Sequence, residues 1–293
     1  NAIQEIVSNS IDEFYMGYGK KIKIGLGPDN MVVVTDKGRG IPFGIKEDGS
    51  NVLVDIFSKS HTGGKFNDKV YQSVAGLNGI GAKATCLSSV KFNVSVVRDG
   101  KHAIASFEKG NLINYKEEEW HDKNDHGTSI QFVPDSEVYN LEPIKINFEV
   151  LCEKCKNLSY LTKGLTFELT NVNGKKVVYC AEKGLVDLVK EKAEKPIHNT
   201  PIHYSLKDGI NEIEIALQWT RGREIDYIFT NGLHNSEGGT TLTGIKTAIT
   251  RNLNKIFNKN FTGEMARTGL VYAVSCKTPN PSFANQTKTK INN

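Results

Sequence analysis

The chain opens on a helical alternation of apolar and polar positions. On a wheel of about 100° per residue, Ile3, Ile6, Val7, Ile11 and Phe14 share one face, as the core side of an amphipathic helix does. Glu5, Asn9 and Asp12 gather opposite, Asn9 about 40° from Glu5 and Asp12 about 20° to its other side. This pattern predicts a helix to residue 15, stopped by Gly17 and Gly19. Residues 21–27 and 31–35 read as strands around the turn Pro28-Asp29-Asn30. A short helix follows at 52–58, then a glycine-rich stretch at 62–81 that leads into a helix start at 82–87. Strand composition recurs at 92–97, 102–107 and 128–133, a helix at 148–160, strands at 165–170 and 176–179, and a helix at 185–193.

Two of the eight prolines then fall within six residues, in Lys195-Pro196-Ile197-His198-Asn199-Thr200-Pro201. That segment predicts a boundary between a first domain, 1–195, and a second, 196–293. After it the pattern restarts, with strands at 212–219 and 225–230, a Gly-Gly loop, a helix at 241–257 and a strand at 270–276. Strands and helices mixed in both halves make the expected fold class α+β. Helix 1 begins at the first residue with no capping side chain before it, which predicts that further chain precedes Asn1.

Composition narrows the function classes. With 293 residues, 38% of them hydrophobic and 24% charged, the chain can build globular cores. No apolar run approaches the roughly 20 residues of a membrane span, and no signal-peptide pattern is present. The net charge of +4 permits contact with nucleic acid without requiring it. Of five cysteines only Cys152 and Cys155 are close, and their C-x-x-C lacks a second pair to complete a zinc site. Reduced structural thiols and a cytoplasmic setting are the expectation.

Candidate chemistry lies in five places. A carboxylate and a neutral amide one turn apart, Glu5 and Asn9, suit a hard cation and a water to be activated; simple solvation of a helix face gives the same pattern. Asp36-Lys37-Gly38-Arg39-Gly40-Ile41-Pro42 puts a carboxylate at a strand end, able to accept from an exocyclic amine, beside glycines that let a ligand approach the backbone; an ordinary Asp-Gly turn has the same residues. Gly76-Leu77-Asn78-Gly79-Ile80-Gly81 opens a helix and can aim backbone N–H groups at an anion, although it does not match the P-loop. His126-Gly127-Thr128-Ser129-Ile130 starts a strand with a hydroxyl, and Gln286-Thr287-Lys288 lies in a polar loop near the end.

In this order and spacing the five motifs resemble the ATPase region of the bacterial type IIA topoisomerases, gyrase B and its topoisomerase IV counterpart, within the GHKL superfamily. The resemblance extends over essentially the whole chain, including Gln218-Trp219, Glu237-Gly238-Gly239-Thr240 and residues 279–290. It implies a GHKL-type two-layer α/β sandwich, the Bergerat nucleotide-binding fold. A smaller α/β transducer domain of the ribosomal-protein-like βαβ type then follows. It also implies roles. Glu5 is the general base that polarises the attacking water, and Asn9 coordinates Mg²⁺ on the phosphates of ATP. Asp36 binds the adenine amino group, backed by Gly40 and Ile41 and assisted through water by Thr128. Arg39 borders the pocket and pairs with Glu13. Lys65, Tyr71 and the backbone from Gly76 through Leu77, Asn78, Gly79 and Ile80 to Gly81 form a lid on the phosphates. Gln286 and Lys288 reach the γ-phosphate from the second domain, so Lys288 senses triphosphate against diphosphate.

The resemblance further implies partners: a second copy of the chain on ATP binding, a partner of the gyrase A or topoisomerase IV A type, and a transported DNA duplex bound without sequence preference. Lys246, Arg251 and Lys255 on the long second-domain helix, with Arg221 and Arg223 in a turn, are the candidate DNA contacts; a solvated face is the plain alternative. Salt should weaken such binding sharply. The same residues serve gyrase and topoisomerase IV alike. Departures from the family pattern are Lys37, where Asn or Asp is usual, Ala75 for a glycine, Asn78 for a His, and Lys83. The family's N-terminal arm, its DNA-cleavage metal domain and the polypeptide with the cleaving tyrosine are not in this sequence. Other readings are a MutL-like clamp, against which Gln286-Thr287-Lys288 and the Glu-Gly-Gly-Thr loop argue, and a histidine-kinase type domain, which would lack Lys288. A nucleotide-switched DNA-binding scaffold would need no base at Glu5.

Overall fold

The computed structural model describes residues 2–58, 81–140, 144–285 and 288–293. The chain divides into two compact units, Asn1–Ser159 with Gly164–Cys180, and Tyr160–Lys163 with Ala181–Asn293. The first unit holds α1 (Ala2–Tyr15), β1 (Lys21–Leu26), β2 (Val32–Thr35), α2 (Val52–Phe57), α3 (Gly81–Leu87), β3 (Ser89–Arg98), β4 (Lys101–Glu108), β5 (Asn111–Glu119), β6 (Gly127–Pro134), α4 (Ser136–Tyr139), α5 (Phe148–Leu161), β7 (Thr166–Thr170) and β8 (Lys176–Tyr179). Its strands form one sheet in the order β5-β4-β3-β6-β2-β1-β7-β8, antiparallel except for β1 against β7.

One face of this sheet is apolar. Ile22 and Ile24 of β1, Val32 and Val34 of β2, and Phe92, Val94 and Val96 of β3 are buried against Ile6, Val7 and Ile11 of α1, Leu53 and Phe57 of α2, and Phe148, Leu151, Cys152 and Cys155 of α5. Lys21 and Lys23, one position out of phase, are exposed, as the period of two requires. A two-layer α/β sandwich results. Phe57 lies 5.2 Å from Phe92 and 6.1 Å from Phe107, ring centre to ring centre; truncating such a side chain to alanine costs about 3–5 kcal/mol. Asn51 starts α2 by accepting from the Leu53 and Val54 amides at 2.9 and 3.3 Å. Burial pushes the Cys86 and Cys155 thiols up to about 12, and no disulfide joins cysteines among the described residues.

The second unit holds α6 (Leu185–Lys192), β9 (Ile202–Asp208), β10 (Asn211–Trp219), β11 (Ile225–Thr230), β12 (Leu233–His234), α7 (Thr240–Phe257), α8 (Gly263–Arg267) and β13 (Leu270–Lys277). Its sheet runs β12-β11-β13-β10-β9, and β11 and β13 are parallel with α7 between them in sequence, a βαβ unit. β13 is buried on both faces. Leu270, Tyr272 and Val274 pack with Ile245 and Ile249 of α7, whereas Val271 and Ala273 pack with Leu185, Leu188 and Val189 of α6 and with Tyr160.

Those α6 contacts bear on the boundary expected between 195 and 196. The division falls instead at Cys180 and Ala181, because the apolar face of α6 is buried in the second core. β5 and β9 go beyond the elements expected from the sequence. Both are sheet edges, and every residue of β9 and all but Tyr115 of β5 are exposed, so neither carries a period of buried residues. Among the described residues no helix is long and apolar enough to cross a membrane.

Candidate active site

Asp36 is where β2 leaves the sheet. β2 pairs with β6, Thr35 opposite Ser129, so the chain emerges beside Gly127 and Thr128. The Asp36 amide donates to the Thr128 carbonyl at 2.9 Å. Its carboxylate accepts from the Ser10 hydroxyl at 2.6 Å and from the Gly38 amide at 2.8 Å. Burial pushes the Asp36 carboxyl above its ordinary value, and the nearby Glu13 charge adds to this; the bonds from Ser10, Gly38 and Thr128 act the other way. Ser10 is buried on the core side of α1, 5% exposed, where an apolar residue is the rule. Asp36 is its partner.

The glycines after Asp36, expected to let a ligand approach the backbone, make tight contacts within the protein. A side chain on Gly38 would come within 2.6 Å of Glu13 Cγ and 2.9 Å of Asp36 Oδ1. Gly40 has φ +80, and a Cβ there would lie 2.6 Å from the Val97 carbonyl oxygen. Arg39 between them makes the expected pair with Glu13: Nη2 to Oε1 at 2.8 Å, Nε to Oε2 at 3.0 Å, and its amide to Oε2 at 2.8 Å. Burial raises the Glu13 carboxyl, but these bonds outweigh it and hold the group below its ordinary value. The Arg39 guanidinium sits 5.2 Å from the centre of the Tyr18 ring. Arg98 Nη1 donates to the Gly40 carbonyl at 3.0 Å, and the Ile41 amide donates to the Thr128 hydroxyl at 3.3 Å. Ser10 and Arg98 carried no signal in the sequence: one serine in a helix and one arginine at a strand end are ordinary.

Glu5 and Asn9 are both on α1, one turn apart, and both are exposed, whereas Ser10 next to Asn9 is buried. Glu5 lies against Gly81, the first residue of α3; a Cβ on Gly81 would be 2.6 Å from Glu5 Cδ and 2.8 Å from its Cγ. The last glycine of the lid motif is thus beside the candidate base. Lys65, Tyr71, Gly76, Leu77, Asn78, Gly79, Ile80 and Gln286 lie outside the described residues. Lys37, the departure from the family pattern, is paired with Asp125 at 2.6 Å.

Asn9 fits Mg²⁺ by its chemistry, since this ion takes oxygen ligands, keeps several waters and is commonly shared with substrate phosphates. Among the described residues no group of three or more His, Cys, Asp or Glu could hold a metal. An amide oxygen with phosphate and water ligands is the set that this chain can offer.

Lys288 belongs to the second unit. Its carbonyl accepts from Asn235 Nδ2 at 2.8 Å, and Asn235 Oδ1 accepts from the Thr230 hydroxyl at 2.6 Å. The Thr289 hydroxyl donates to Glu237 at 2.6 Å, and the Glu237 amide donates to the Thr289 carbonyl at 2.9 Å. The Glu-Gly-Gly-Thr loop therefore holds the segment that carries Lys288. Of the candidate DNA contacts, Arg251 and Lys255 are exposed. Lys246 is ion-paired with Glu224 at 3.3 Å, and Glu224 also accepts from Arg267 at 3.1 Å and Tyr272 at 3.0 Å.

Known proteins resemble this chain in sequence and in fold. The sequence model of the DNA gyrase B family matches residues 184–293. The DNA gyrase B protein of Archaeoglobus fulgidus is 34% identical over 303 residues, 99% of this chain and 47% of its own length. The chain spans about half the length of the curated relatives it matches. The solved 43K ATPase domain of Thermus thermophilus gyrase B, in complex with an aminocoumarin, has a TM-score of 0.84 and 27% identity, over 100% of this chain and 78% of that one. The topoisomerase IV ATP-binding domain of Francisella tularensis, with a small-molecule inhibitor, has a TM-score of 0.76 and 28% identity, over 100% of this chain and 81% of that one. With its GHKL-type first unit and βαβ second unit, the chain matches in sequence and fold the ATPase region of the gyrase B and topoisomerase IV B proteins.

Proposed function

We propose that the chain binds ATP with Mg²⁺ and hydrolyses it, and that this cycle drives the N-terminal gate of a DNA topoisomerase that passes one duplex through another. The observation that carries the reading is Asp36: a half-buried carboxylate, fixed by Ser10 and Gly38, on the same body as Glu5 and Asn9. A carboxylate so held can accept from the adenine amino group, which a guanine oxygen could not offer.

Glu5 takes the proton of the attacking water. Gly38 and Gly40 keep the base-binding loop tight, and Thr128 supports it through Ile41. Mg²⁺, where bound through Asn9, supplies charge neutralisation on the phosphates. Phosphoryl transfer asks mainly for positioning and neutralisation, so a base, an amide and a distant lysine are sufficient protein groups. The backbone of residues 76–81 wraps the phosphates in this reading, with Lys65 and Tyr71 nearby. Gln286 and Lys288 touch the γ-phosphate, and that bond exists only with a triphosphate, so ATP favours one domain arrangement over another.

In the whole enzyme the same event pairs two copies around a transported duplex, with a partner of the gyrase A or topoisomerase IV A type doing the cleavage. Arg251 and Lys255 are the better placed of the candidate cations for DNA, since Lys246 already has a carboxylate partner. The relatives are gyrase and topoisomerase proteins, which favours this reading over a mismatch-repair clamp. Glu5 separates it from a scaffold that only binds nucleotide. Calorimetry with phosphate-release kinetics tests the point: Glu5→Ala keeps ATP binding and loses hydrolysis, and a variant hydrolysing at the parent rate overturns the assignment.

A further inference from the structure

The loop before β6 touches the loop after β2 at one residue after another. Asp125 Oδ1 accepts from Lys37 Nζ at 2.6 Å while Trp120 Nε1 donates to Asp125 Oδ2 at 3.3 Å. His126 Nδ1 is 2.5 Å from the Gly38 carbonyl oxygen, which can only accept, so Nδ1 carries the proton. Gly127, at φ +147, lies against the Asp36 carbonyl, and a Cβ there would be 3.2 Å from Lys37 Cα. Thr128 bonds Asp36 and Ile41. From the other side, a Cβ on Gly19 would lie 3.0 Å from the Lys37 carbonyl carbon. The Asp36 loop is therefore clamped between the end of α1 and residues 120–128.

We infer that residues 120–128 form a strap that sets the position of Asp36, with His126 as the positioning residue through its bond to Gly38. The inference rests on the proposed ATP site and goes beyond it, since it makes affinity and base selectivity depend on a side chain that does not touch the nucleotide. Gly38 joins the two groups: its amide bonds the Asp36 carboxylate and its carbonyl bonds His126, so one residue's backbone carries the imidazole's position to the acid. Lys37 and Asp125 belong to the same device. The cation that departs from the family pattern is met by an acid of the strap, but this pair is largely exposed on the lysine side and contributes little alone.

ATP and GTP affinity and steady-state hydrolysis of the wild type, His126→Ala and His126→Asn test the strap. Asparagine places an N–H donor where Nδ1 stands. Expected for His126→Ala is a rise of roughly five- to tenfold in Kd and KM for ATP, with kcat at saturating ATP within about twofold and a reduced preference for ATP over GTP. His126→Asn restores most of the affinity and the preference. A purely structural role would instead lower melting temperature and active fraction, leave KM unchanged, and overturn the inference, as would an alanine variant equal to the wild type in all respects. A wild type that fails to bind ATP refutes the ATP site itself, a different result from a wild type that binds while His126→Ala binds equally well.

Discussion

Ser10 on α1 donates a 2.6 Å hydrogen bond to Asp36 at the end of β2. The bond ties the helix that carries Glu5 and Asn9 to the acid proposed to meet the adenine. It also opposes the burial that pushes the Asp36 carboxyl up. Removing it pushes the group further up. A protonated Asp36 accepts poorly from an amine, so ATP affinity is present above the Asp36 value and lost as pH falls through it. Ser10→Ala should shift this loss to higher pH. Dissociation constants measured from acid to neutral pH check it; superimposable profiles would separate Ser10 from the titration.

The contact of Glu5 with Gly81 makes a second prediction. A methyl group at Gly81 meets the Glu5 carboxylate and must displace it. Gly81→Ala should therefore lower kcat, and Glu5→Gln should lower it by about 10²–10⁴-fold, the usual worth of a general base. Both variants should retain binding of a nonhydrolysable ATP analogue. Single-turnover phosphate release is the measurement.

Glu13 and Arg39 are a partly buried pair, with side chains 16% and 23% exposed. Replacing Glu13 by glutamine should cost about 1.5–3 kcal/mol at neutral pH, the range for hydrogen bonds to charged groups. The sign with pH follows from the lowered Glu13 value. A lowered carboxyl contributes stability that is present above its unfolded value and lost as pH falls through its folded one. The gap between wild type and Glu13→Gln should close in acid, read by denaturant melts at several pH values.

Asn235 is 1% exposed and bonds both the Thr230 hydroxyl and the Lys288 carbonyl. Asn235→Ala frees the segment that carries Lys288 without touching its ammonium group. It should reproduce part of the Lys288→Ala effect, a lower preference for a triphosphate analogue over ADP. Competition binding with the two nucleotides reads this directly.

Much of the frame was legible because burial left its period in the sequence. α1, β2 and β13 each have a face of apolar residues that packs as expected. β5 and β9 were silent because an exposed edge imposes no such period. Pro196 and Pro201 drew attention away from α6, whose two-turn apolar stripe at Leu185, Leu188 and Val189 assigns it to the second unit. Glu5, Asn9 and Asp36 are candidates through a resemblance of motifs. The partners of Ser10, Arg98 and His126 were not legible, because each acts on a residue at least 26 positions away, a relation that only folding creates.

The central claim is that Asp36 holds the adenine of a bound ATP. Its most direct test is a calorimetric titration of the wild type and Asp36→Asn with a nonhydrolysable ATP analogue and Mg²⁺. Predicted are saturable binding by the wild type and an affinity about 10- to 100-fold weaker in the variant, the worth of one charge-assisted hydrogen bond. Equal affinities in the two proteins, or no heat of binding in the wild type, would contradict it.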